Sequence, residues 1–142
     1  MGLDMSLTLK RKDGQAFTQD ELDAYVREFS SDEECVVWQY PDNKGIQIAE
    51  WRKFYELDNL MRTAGDYSHD DYVVVETLNR MQLLKVIDEL KRALLGEYSQ
   101  LEDKGETFNY EHKALNAYWV FMHAQAFAYE HPECEFVYGS DC

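Results

Sequence analysis

The N-terminal stretch "GLDMSLTLK" sets Leu3, Met5, Leu7 and Leu9 against intervening polar residues, the period-two alternation of a half-buried strand. The period then changes. In "TQDELDAYVREF", Leu22, Tyr25, Val26 and Phe29 recur at helical spacing, and Thr18 with Glu21 three residues on forms a capping box, so a helix is predicted over 19–29. "CVVWQY" reads as a strand stopped by the turn "PDNKG", with "IQI" opening its hairpin partner. In "AEWRKFYELDNLMRTAG", Trp51, Phe54, Leu57, Met61 and Ala64 fall on one side of a second helix that Gly65 ends.

"YVVV" at 72–75 is a short buried strand by composition and leads directly into a helix over "ETLNRMQLLKVIDELKRALLG". Its stripe is Leu83, Val86, Ile87, Leu90 and Leu94, and Gly96 is its stop. The last helix runs from near Asn109 to about Tyr129, and from Ala114 onward only Asn116, His123 and Gln125 are polar. Such a helix is either fully buried or covers a partner, here a second copy meeting Tyr118, Phe121, Met122 and Phe127. "CEFVYGS" is a closing strand. Strands and helices alternate without the glycine-rich turns of nucleotide-binding folds. The pattern predicts a single α+β domain over 1–142, with three or four helices packed on a small, mainly antiparallel sheet.

The 142 residues are 45% hydrophobic and 14% aromatic, enough to fill one core, and no uncharged apolar run reaches membrane-spanning length. No signal-peptide pattern opens the chain, so a cytoplasmic location and no membrane contact are expected. Cys35, Cys134 and Cys142 form neither an even disulfide set nor a C-x-x-C pair, so reduced thiols and no structural zinc site are expected. Charge adds more: 14 basic against 28 acidic side chains leave a net −14. The deficit lies in segments 30–43, 65–75, 96–110 and 111–142, while the helix candidates at 44–64 and 76–95 are nearly balanced. That field disfavours direct binding to nucleic acid and steers toward basic surfaces, although acidic loops also serve solubility alone.

The search for catalytic motifs returns none: no G-x-S-x-G, no phosphate-cradling loop, no H-E-x-x-H and no Ca²⁺ loop. "HPEC" at 131–134 lacks the second cysteine and the upstream H-x-E of a zinc deaminase. In "DYSHDD", Asp66, His69, Asp70 and Asp71 offer hard oxygens and one imidazole, which a solvated acidic turn explains equally well. His112, Asn116 and His123 share one narrow helix face. His123 is a general-base candidate and, as readily, a hydrogen-bonded core histidine. No catalytic residue, metal or cofactor is assigned.

Arg52 and Lys53 would sit in the first turn of the second helix, where positive charge opposes the helix dipole and calls for a nearby anion; Glu56 is available to Arg52 at i, i+4. "MGLDM" at 1–5, "EWRK" at 50–53 before an amphipathic helix, "YVVVETLNRMQLLKVIDEL" at 72–90 and "FVYGS" at 136–140 occur in this order. In these motifs the chain resembles a group of small, uncharacterised bacteriophage and prophage proteins. It departs from them in carrying Tyr55 and Asp58 where such relatives show Asn and His, and in stopping at Cys142. The motifs around Asp4 and Arg52 recur together in that group, which implies that Asp4 pairs with Arg52 or Lys53. The resemblance implies a phage-type accessory role directed at the host.

Two readings follow. In the first, the protein binds a basic surface of a host nucleic-acid-binding enzyme, a CRISPR effector or nuclease, by mimicking nucleic acid through Asp32, Glu33, Glu34, Asp66, Asp70, Asp71, Glu130, Glu133 and Glu135. In the second, it is a small enzyme or an anionic-ligand-binding protein whose pocket joins Arg52, Lys53 and His123 beside Trp51 and the last helix.

Overall fold

In the computed structural model, residues 4–54, 57–58, 60–61, 73–95 and 107–141 are described. The alternation of "DMSLTLKR" becomes β1 (Asp4–Arg11), which puts Met5, Leu7 and Leu9 in the core and Ser6 and Lys10 on the other face. Around it lie β2 (Trp38–Gln39), β3 (Ile46–Arg52), β4 (Val73–Leu78) and β5 (Cys134–Asp141), in the order β2-β3-β1-β5-β4 with every pair antiparallel. In the central strand β1, Asp4 lies opposite both Arg52 and Asp141.

The helices whose bounds lie among the described residues are α1 (Gln19–Ser30), α2 (Arg80–Leu94) and α3 (Thr107–Glu130). α1 starts where the capping box predicts: the Thr18 hydroxyl accepts from the Glu21 N–H, and the Glu21 carboxylate accepts from the Thr18 N–H. Asn79 and Gln82 cap α2 in the same reciprocal way, a signature equally present in the sequence. The strand before α2 is therefore longer than "YVVV", running to Leu78, and the helix begins at Arg80 rather than directly after the valines. The hairpin forms as expected but is short on one side, with only Trp38 and Gln39 pairing as a strand; the Val36 N–H also reaches the Ile48 carbonyl.

Residues 50–54 correct the expectation of a helix opening near Trp51. Trp51 and Arg52 are the last residues of β3, paired with Met5 and Asp4, and Lys53 turns the chain with φ 56°. Helical geometry appears at Leu57, Asp58, Leu60 and Met61. The helical spacing misled because Trp51, Phe54, Leu57 and Met61 are all buried, but Trp51 reaches the core from a strand. Arg52 and Lys53 therefore occupy no helix N-terminus.

One core joins the sheet to all three helices, with Leu7, Ile46, Phe29, Leu90, Phe121 and Tyr138 among its fully or almost fully buried side chains. Each contributes about 1.5–3 kcal/mol on the usual burial scale. α1 and α3 meet through aromatic rings: Tyr25 stands edge-on to Phe127 at 4.9 Å, and Phe29 packs on Phe127 at 5.1 Å. α3 is not buried on its whole circumference. Phe121 and Phe127 belong to the core, Tyr118 and Met122 are partly buried, and Leu115 and Trp119 remain exposed. Among the described residues no helix is long and apolar enough to cross a membrane.

Candidate functional site

Asn116, His123 and Glu130 recur every seven residues and so share one face of α3, the face that borders the segment following α1. That segment, 31–37, is fastened to α3 at two points. The Asn116 amide donates to the Glu34 carbonyl at 2.9 Å and to its carboxylate at 2.7 Å, while its own oxygen accepts from the Trp51 indole at 2.9 Å. One turn pair later, His123 Nδ1 lies 2.8 Å from Asp32 Oδ2, and Nε2 lies 3.4 Å from Glu28 Oε2. The imidazole also packs on Phe29 with ring centres 4.4 Å apart.

Asp32 organises the turn itself. Its Oδ1 accepts from the Glu34 N–H at 2.9 Å, and its carbonyl accepts from the Cys35 N–H at 3.1 Å. Burial pushes the Asp32 carboxyl up, but the hydrogen bonds from the Glu34 backbone and His123 outweigh it and hold the group below the ordinary carboxylate range. Burial, with the negative charge of Asp32 beside it, pushes the Cys35 thiol up to about 12. A thiol so placed is mostly protonated at neutral pH, which disfavours it as a nucleophile. Over this turn opens a hollow lined by Ser31, Asp32, Glu33, Glu34, Trp119, Met122 and His123.

The expected acidic face is thus assembled only in part. Asp32 and Glu34 are turned inward onto His123 and Asn116, while Glu33 and Glu130 are exposed. Glu133 lies by His131 at 3.3 Å and by the Tyr25 hydroxyl at 3.4 Å. Glu135 sits on β5 opposite Lys10, away from the hollow. Asp66, His69, Asp70 and Asp71 fall outside the described residues.

The basic pair is elsewhere. Arg52 Nε donates to Asp4 Oδ1 at 3.0 Å, the expected pairing, with both side chains mostly exposed. Lys53 is exposed in the turn beyond, and neither residue lines the hollow at His123. Lys113 Nζ lies 3.5 Å from the Arg52 carbonyl. His112 is exposed, so the face it shares with Asn116 and His123 is continuous in sequence but not in burial.

Sequence reasoning missed two further groups. Asp58 is buried and accepts a hydrogen bond from the Tyr138 hydroxyl, a pairing no spacing announces because 80 residues separate the partners. His131 stacks on Phe127 at 4.2 Å beside Tyr25 and Glu133. Comparison of the chain with protein-family models, with curated proteins and with solved structures gave no match.

Proposed function

We propose that the protein is an acidic, phage-type accessory protein that binds the basic surface of a host nucleic-acid-binding enzyme in place of its nucleic acid. The observation that supports this most is the fastening of segment 31–34 to α3. Asp32 and Glu34 are spent on His123 and Asn116, and that holds Glu33 outward beside the exposed Trp119. Glu28 and Glu130 continue the negative edge along the same helix pair over roughly 10 Å, two turns of α3. Solubility requires only that carboxylates be exposed. Binding gains from a backbone segment that is already held in place next to an aromatic anchor, because less backbone freedom is lost on association.

The CRISPR effectors and nucleases of the host are the class this reading favours, since their nucleic-acid grooves are basic. The test captures partners from bacterial host lysate on immobilised protein and identifies them by mass spectrometry. The reading expects a basic, nucleic-acid-binding protein that is released by salt and by added DNA or RNA, and that is lost with Glu33→Lys combined with Glu130→Lys. Capture that survives both salt and the double variant refutes it.

A further inference from the structure

A cluster of three different ligand types lies under the hollow. Asp32 and Cys35 sit three apart on one turn, His123 arrives from α3, and a carboxylate oxygen, the thiol sulfur and a ring nitrogen all lie within 4.8 Å of one another. We propose that Asp32, Cys35 and His123 bind a zinc-class divalent cation, with a fourth position open toward the hollow. One thiolate, one imidazole and one carboxylate form a mixed S, N, O set that suits a borderline ion and is foreign to Ca²⁺ or Mg²⁺. Three protein ligands with an open side is the arrangement of sites that also take water or an outside ligand.

The dimensions are compatible. Bond lengths of about 2.0–2.3 Å around zinc place tetrahedral ligand atoms about 3.3–3.8 Å apart. The cluster needs the sulfur to close by up to about 1 Å and the Asp32–His123 contact of 2.8 Å to open by about half that. Cys35 adjoins an exposed turn, where such shifts are small rotamer changes. The second ring nitrogen has a carboxylate within reach: Nε2 lies 3.4 Å from Glu28 Oε2, and Nδ1, the nitrogen beside Asp32, is the one offered to the ion. Phe29 holds the ring plane. On binding, Cys35 coordinates as thiolate and its proton passes to the buffer. Asp32, His123 and Glu28 serve both readings, but neither Glu33 nor Glu130 is a ligand, so Glu33→Lys with Glu130→Lys leaves the ligand set intact and separates the two.

The experiment titrates the full-length protein, stripped with EDTA and reduced, with Co²⁺ and then Zn²⁺. The site predicts one equivalent of Co²⁺ with visible d–d absorption and a near-ultraviolet thiolate-to-cobalt band, both displaced by one equivalent of Zn²⁺. Cys35→Ser must remove the thiolate band while Cys134→Ser and Cys142→Ser keep it. His123→Gln should weaken binding at least tenfold, and Glu28→Gln should weaken it about 10- to 100-fold with the spectrum retained. Circular dichroism matched to wild type confirms that each variant is folded, and the half-exposed Glu28 supplies a variant that does not disturb the core. A thiolate band that persists in Cys35→Ser, or equal affinity in wild type, His123→Gln and Glu28→Gln, overturns the site.

Discussion

The Trp51 indole and the Asn116 side chain, 65 residues apart, are joined by a hydrogen bond of 2.9 Å that ties the end of β3 to the middle of α3. Because the same amide donates to Glu34, one side chain connects the sheet, the long helix and the acidic segment. Asn116→Ala leaves the indole N–H and the Glu34 carbonyl without this partner and should cost about 1–3 kcal/mol. Asn116→Asp should cost more, because it sets a carboxylate against that of Glu34. Urea denaturation followed by tryptophan fluorescence reads both; an unchanged midpoint in Asn116→Ala would show that the connection is not structural.

Arg52 and Asp4 predict the opposite outcome. Their 3.0 Å ion pair is exposed, with side chains 72% and 55% accessible, so solvent and salt screen it. A double-mutant cycle of Asp4→Asn with Arg52→Ala should give a coupling of about 0.2–1 kcal/mol, smaller still in high salt. A coupling of several kcal/mol would mean that the pair does more than close the sheet end.

Much of this architecture is legible in the sequence, and the failures share one cause. Thr18 and Glu21 announce α1, the alternation at 3–9 announces β1, and the stripe from Leu83 to Leu90 announces α2. Spacing puts Trp51 on a helix because it cannot distinguish a strand residue facing the core from a helical one, and only the pairing with Met5 decides. The candidate site was half visible. His123 and the run Asp32 to Glu34 stand out by type, but that Asp32 turns inward to the imidazole while Glu33 turns out depends on a contact spanning 91 residues. Tyr138 and Asp58 were invisible for the same reason.

The buried Tyr138–Asp58 contact gives a third prediction. Tyr138→Phe keeps the ring in the core and deletes the donor to a carboxylate that is 6% exposed, which should cost about 1–3 kcal/mol. Thermal unfolding should show a lower Tm with native circular dichroism retained. A Tm equal to wild type would show that Asp58 gains nothing from the phenol.

Stability should fall on both sides of neutrality. Asp32 is held below its ordinary value of 3.8, so its contribution is complete above that pH and is lost as the pH drops through the lower folded-state value. Burial raises Cys35 and Cys134 from 9.0 to about 12, so the unfolded chain ionises first and stability declines as the pH rises from about 9 toward 12. Urea midpoints across this range check the two arms. In native protein at pH 8, Cys35 and Cys134 should alkylate far more slowly than in urea; rapid native labelling of either would contradict the burial argument.

The proposed role is replacement of nucleic acid on a basic partner by the outward carboxylates beside Trp119. The most direct measurement is fluorescence anisotropy of a labelled nucleic acid bound to the captured partner, titrated with this protein at several salt concentrations. The account predicts stoichiometric displacement by wild type, weakened steeply by salt and abolished by Glu33→Lys with Glu130→Lys. Simultaneous binding of protein and nucleic acid to the partner, with no loss of anisotropy at saturation, would contradict it.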